Sequence, residues 1–192
     1  GRIYAEGANE PFDGRVTNVP ERLIVPKQLV GAGAQFLSPF SAVGNVSGYA
    51  VDFGADNSLC DADVKTGLPV GKIVCKYASS EMVRYQLSLT NGKLDGDAKY
   101  YGPPPSNRLL ASASFDEGRL EGKHEAFHPR TGKKVWEGTW KAGLLDGEET
   151  GWHLSTGNLF FKAVYKNGKA EGQVIRYAED GTTVVYRANF AN

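Results

Sequence analysis

From residue 85 onward, apolar residues alternate with polar ones in short runs. They read Leu109, Ala111, Ala113, Phe115, then Trp136, Gly138, Trp140, then Phe161, Ala163, Tyr165, and last Tyr186, Ala188, Phe190. A period of two lines one face of a β-strand, so each run predicts a strand with large, small and aromatic residues on its buried side. The run ends recur three residues before glycine pairs of the form Gly-x-x-x-Gly: Leu89 before Gly92/Gly96, Phe115 before Gly118/Gly122, Trp140 before Gly143/Gly147 and Tyr165 before Gly168/Gly172. The first glycines are spaced by 26, 25 and 25 residues, which is the signature of a repeat architecture. Five residues after each second glycine stands Tyr101, Phe127, Trp152 or Tyr177, and just before it an acid, Asp95, Glu121, Asp146 or Glu171. A third glycine closes three units at Gly132, Gly157 and Gly181.

Each unit therefore reads as two strands and two turns. Asn91-Gly92, Asn167-Gly168 and Asp180-Gly181 are dipeptides that take the positive φ angles of a type I′ hairpin turn at low cost. Pro103, Pro104 and Pro105 fall at an inter-unit turn, which accounts for the 26-residue spacing. Weaker copies lie upstream at Gly67/Gly71, with Val64 and Tyr77, and at Gly44/Gly48, with Phe53. Gly7, Phe12, Asp13 and Gly14 read as a worn first copy. The predicted fold is all-β, an elongated antiparallel meander of stacked hairpins of about 25 residues. Residues 1–43 form a degenerate first hairpin plus an apolar insertion or cap over 19–43, and 44–192 form the repeat array, strongest over 85–192. The ladder Phe115, Trp140, Tyr165, Phe190 is its expected core. Simple pairing across Asn167-Gly168 sends Tyr177 to the face opposite Tyr165. Either a bulge at the second glycine restores Tyr101, Phe127, Trp152 and Tyr177 to the ladder face, or they form a separate aromatic row behind it.

The string from Tyr165 to Gly181, YKNGKAEGQVIRYAEDG, resembles the MORN-type repeat, in the variant of bacterial antitoxin-like proteins. The resemblance implies a curved β-hairpin array acting as a binding scaffold. It further implies association with proteins, with phospholipid in some relatives, and neutralisation of a toxin or secreted effector enzyme in some bacterial ones.

Composition narrows the classes. Glycine makes up 24 of 192 residues, and 22 basic residues balance 22 acidic ones. Nucleic-acid and anionic-membrane binders carry a basic excess, so balanced charge weighs against both. No apolar run approaches the length of a membrane-spanning helix. The chain begins at Gly1 with no signal-like apolar segment, which leads us to expect that a natural N-terminus or leader has been removed.

Candidate chemistry is sparse. His124, His128 and His153 contain a four-residue spacing, about 13 Å along a strand, which is too long for two ligands of one ion. We read them as packing or surface residues, with His128 and His153, beside Phe127 and Trp152, as partner contacts. The recurring acids sit at turns beside Lys93, Arg119 and Lys169 and read as a charge-paired hairpin edge. Neither a nucleophile elbow nor a phosphate-binding loop occurs, Gly31-Ala-Gly33 is not a dinucleotide site, and no metal or cofactor is expected. Cys60 and Cys75 flank Gly67 facing one side: they form either one disulfide or two buried thiols, and a disulfide places the protein in an oxidising compartment such as the periplasm rather than the cytoplasm.

These readings converge on a non-enzymatic scaffold for a protein partner, of the immunity or antitoxin kind, exported, and monomeric or paired through its sheet edges. The candidate contacts are Tyr101, Phe127, His128, Trp152, His153 and Tyr177. The alternative is an envelope-associated structural protein that binds phospholipid through exposed aromatics; no nucleic acid is expected.

Overall fold

The structure, a computed structural model, describes residues 2–25 and 58–191. The upstream copy at Gly44/Gly48 with Phe53, and the insertion beyond Val25, lie outside these residues. Fourteen strands form one antiparallel sheet: β1 (Gly14–Pro20), β2 (Ser58–Lys65), β3 (Leu68–Tyr77), β4 (Val83–Thr90), β5 (Lys93–Leu94), β6 (Gly96–Tyr101), β7 (Leu109–Asp116), β8 (Arg119–Phe127), β9 (Lys134–Lys141), β10 (Leu144–Trp152), β11 (Leu159–Lys166), β12 (Lys169–Ala170), β13 (Gly172–Tyr177) and β14 (Val184–Phe190). Neighbours in sequence are neighbours in space, with β5 and β12 as short extensions pairing β4 and β11. Among the described residues the sheet is an open meander that runs from β1 to β14, as the repeat predicts.

Two kinds of turn alternate. At the first glycine of each described unit the chain makes a two-residue turn with both central residues at positive φ, from Thr66-Gly67 through Asn91-Gly92, Glu117-Gly118 and Ala142-Gly143 to Asn167-Gly168. That is the I′ geometry, even where Thr, Glu or Ala occupies the strained position. The Asp180-Gly181 turn departs from expectation: only Gly181 has positive φ, and Ala178 pairs with Thr183 across a four-residue loop. Its carboxylate, which accepts the Thr182 and Thr183 N–H groups, favours this wider Asx-type loop. The same closure recurs at His128/Lys133 and His153/Asn158.

The phase question resolves in an unanticipated way. The strand after each I′ turn does bulge at the second glycine, but it shifts register by two residues. Ser114 pairs with Glu121 while Ala113 pairs with His124, and Leu145 pairs with Trp140 while Glu149 pairs with Gly138. A two-residue shift preserves alternation. Ala126, Gly151 and Arg176 therefore stay on the ladder face, and Tyr101, Phe127, Trp152 and Tyr177 point to the other.

The ladder face is the core, densest in the N-terminal and central hairpins. Cys60, Ile73, Tyr85, Leu89, Ala111, Phe115, Ala126 and Trp136 are buried there, joined by Ile24 and Val25 after the single helical turn α1 (Glu21–Ile24). Residues 19–25, which begin the expected insertion or cap, are thus built into the end of β1 and the core. Along the ladder, burial fades: Leu89 is 1% exposed and Phe115 4%, Trp140 and Tyr165 are partly buried, and Phe190 is 43% exposed. Fully burying one such side chain is worth roughly 1.5–3 kcal/mol, so the terminal hairpin forgoes that gain.

Cys60 and Cys75 are directly paired across β2 and β3, and their sulfurs are bonded. Both are fully buried. Gly138 fills the small-residue slot because the Trp136 indole folds back over it: a Cβ there would lie 2.6 Å from the ring. Its backbone is ordinary, so the constraint is steric alone.

Two stability predictions follow from this packing. Gly138→Ala overpacks the core and lowers unfolding free energy by about 1–3 kcal/mol in a urea titration. Replacing both cysteines with alanine opens a loop of separation 15 and costs about 3 kcal/mol on the chain-entropy estimate, measured the same way.

Candidate functional site

The two surfaces of the array differ in kind. On the reverse face, the expected row stands at one edge, each residue at the end of the second strand of its unit, and Tyr101, Phe127, Trp152 and Tyr177 are all half-buried. Much of their polar neighbourhood is spent within the chain. The Tyr77 hydroxyl donates to the Tyr101 carbonyl and His153 Nε2 bonds the Tyr177 carbonyl, so two pairs of neighbouring units are stapled together here. The His153 ring also meets Phe160 edge-on, with centroids 4.9 Å apart. His128 Nδ1 accepts the backbone N–H groups of Arg130 and Thr131, capping its own turn, and burial together with Arg130 lowers its pKa. The structure thus brings the six candidate contacts to one edge and gives both histidines internal partners.

The recurring acids sit at the opposite edge, where they too have structural partners. Glu121 accepts the N–H of Ala142, Asp146 accepts that of Asn167, and Asp13 accepts that of Thr66, each from the turn of the next described unit. The pairing cation of Asp146 is Lys166 across the unit boundary, at 3.1 Å, rather than a neighbouring lysine. Asp13 thus bonds the Thr66-Gly67 turn as Glu121 and Asp146 bond the turns that follow them.

The ladder face holds a buried polar group that the sequence reading passed over. Three cross-strand rows run from β9 to β14: Trp136, Gly151, Phe161, Arg176, Tyr186; Gly138, Glu149, Ala163, Val174, Ala188; and Trp140 through Tyr165 to Phe190. Glu149 lies in the small-residue row, 8% exposed, with Oε1 accepting the Trp136 indole N–H at 2.9 Å. Tyr165 lies across the same row and also favours the ionised carboxylate. Burial pushes the Glu149 carboxyl above its ordinary value, outweighing the lowering influence of Trp136 and Tyr165. Among the described residues no Lys, Arg or His pairs with it. On the other side of Trp136, His124 is fully buried with its ring edge-on to the indole at 5.3 Å. Gly138 lies directly between His124 and Glu149.

Above Glu149 is a hollow of about 200 Å³, walled by Phe160, Phe161, Ala163, Tyr165 and Val174, with Arg176 at its rim. The Arg176 guanidinium turns away, 5.8 Å from the Tyr186 ring centroid. Beyond it the same face exposes Tyr186 at 47%. Counting two residues past the second glycine of each unit gives Ile73, Ala98, His124, Glu149 and Val174. Two titratable residues in an otherwise apolar column were the available signal. Among the described residues no group of three or more His, Cys, Asp or Glu converges as a metal site would require, and no helix is long and apolar enough to cross a membrane.

No family model matches the chain, and no curated protein does. Among solved structures, it is similar to TarM, at 11% identity over 77% of this chain and 24% of that one, with a TM-score of 0.37. A mutant of S. aureus TarM in complex with Fondaparinux, alpha-GlcNAc-glycerol and UDP matches at 12% identity and a TM-score of 0.30, covering the same shares. Accessory secretory protein 1, 2 and 3 of Streptococcus pneumoniae matches at 12% identity over 70% of this chain and 21% of that one, with a TM-score of 0.25. The chain spans about a quarter of the length of these solved chains or less, and likenesses this low carry no conclusion about function.

The buried carboxyl predicts a pH dependence. A folded chain that holds the Glu149 proton more tightly than the unfolded chain loses stability as pH rises from the ordinary value of 4.5 through the raised folded value. Urea midpoints measured between pH 4 and neutrality therefore decline less steeply in Glu149→Gln, whose amide oxygen still accepts the Trp136 bond.

Proposed function

We propose that this chain is a non-catalytic scaffold that binds a protein partner through the C-terminal half of its ladder face, in the manner of immunity or antitoxin proteins that neutralise a toxin or secreted effector. The observation that carries the reading is the mismatch between residue type and burial on β14. The template places the same kinds of residue there as in the core, yet Tyr186 is 47% and Phe190 43% exposed. Among the described residues β14 pairs with β13 alone, and it carries a single charged residue and no proline to discourage further pairing. Exposed aromatics on such a strand fit protein recognition, which centres on buried aromatic and arginine anchors. The resemblance to MORN-type repeats supports the scaffold role and the kind of partner. The balanced charge favours a protein surface over an anionic membrane, and the buried disulfide fits an exported protein in an oxidising compartment.

The test is capture from the native host with the immobilised chain. A stoichiometric protein partner is expected, with affinity reduced at least tenfold by Tyr186→Ser together with Phe190→Ser, since anchors of this type are worth about 2 kcal/mol or more. Recovery of no partner at micromolar concentration, with flotation on phosphatidylcholine vesicles instead, overturns the reading in favour of lipid.

A further inference from the structure

We propose that the hollow over Glu149 is a socket for a lysine or arginine side chain of the protein partner, and that the surrounding ladder face is the docking surface for it. The inference rests on the scaffold reading above and adds the place and chemistry of contact.

Size points to a side chain. Pockets for cofactors and drug-sized ligands run about 300–1,000 Å³, whereas this hollow holds about 200 Å³. Charge points to a cation. An ionised carboxylate has room for about four hydrogen bonds, and the structure shows Glu149 receiving one, from Trp136. Acids this buried are almost always paired with a basic group, and among the described residues this one is not. The walls add a second attraction, because aromatic faces such as Phe161 and Tyr165 draw cations. The protein's own nearby cation does not serve: Arg176 sits at the rim with its guanidinium over Tyr186. Arg176, Tyr186 and Phe190 continue the rows that contain the hollow, so a partner whose basic residue enters it lays its flanking apolar residues on Tyr186 and Phe190.

The chain has three tryptophans, so three indole N–H signals report by ¹⁵N NMR, and that of Trp136 lies on the Glu149 carboxyl. Titration with N-acetyl-arginine amide and N-acetyl-lysine amide is expected to shift this signal saturably in the millimolar range, fitting for ligands of about a dozen heavy atoms. The neutral N-acetyl-norleucine amide binds at least tenfold more weakly. Glu149→Gln weakens the cationic amides at least tenfold while leaving the Trp140 and Trp152 signals in place. Arg176→Ala, an exposed change, tightens them by removing a like charge. Absence of a saturable shift, equal binding of the neutral amide, or undiminished binding to Glu149→Gln overturns the socket. If a captured partner binds Glu149→Gln as tightly as the unaltered chain, the socket fails and the scaffold stands. If cations bind but no partner exists, the scaffold fails instead.

Discussion

The array depends on one hydrogen bond made over and over. The first glycine of a unit donates its N–H to the carbonyl of the residue just before the acid of the previous described unit: Gly67 to Phe12, Gly118 to Leu94, Gly143 to Leu120 and Gly168 to Leu145. Each bond nests one I′ turn into the next along the sheet edge. The acceptor residue stays paired within its own hairpin, Leu120 with Phe115 and Leu145 with Trp140, and the two-residue bulge at the second glycine follows directly. Turn and bulge are two parts of one device, and the intervening acid, when its carboxylate takes the N–H beside the same glycine, closes the contact from a second side.

Because that device preserves alternation, it also decides which residues are core and which are surface. A one-residue bulge would have carried the Phe127 and Trp152 row onto the ladder face and crowded it with two aromatics per strand. The two-residue shift leaves the ladder face with a large, small, large rhythm. The Trp136 indole then lies over Gly138 and the Phe161 ring over Gly151, where a Cβ would come within 2.3 Å of the ring. Neither glycine serves a turn, and their role is to admit rings from the neighbouring large positions.

Much of this was legible in the chain. The period, the I′ turns at Asn91-Gly92 and Asn167-Gly168, the small slot at Gly138 and the face shared by Cys60 and Cys75 all follow from spacing, because local backbone geometry and strand period are written residue by residue. What was not legible depends on pairing between units. The size of the bulge set the side on which Tyr101 and Tyr177 emerge, and no single unit contains that information. The partners of the acids lie one unit away, so neighbouring lysines were a misleading guide. Glu149 carries no motif of its own: one carboxylate in a column with Ile73, Ala98, His124 and Val174 reads as core only once the pairing between units is known.

The placement of Glu149 has a physical logic within a one-dimensional array. Each hairpin is buried only by its neighbours, so burial is complete in the central units and declines toward β14. In a central unit a carboxylate at this column would be sealed from any guest, and its desolvation would go uncompensated. In the last unit it would be too exposed for a guest charge to gain strength from a low dielectric. The Gly143/Gly147 unit, beside which Ala163 is still buried and Tyr165 already half-open, combines desolvation with access. The energetic cost of holding an acid there is borne by the packed hairpins from β2 to β8, whose ladder face buries Cys60, Ile73, Tyr85, Leu89 and Phe115 and reaches His124 at the point where the gradient begins.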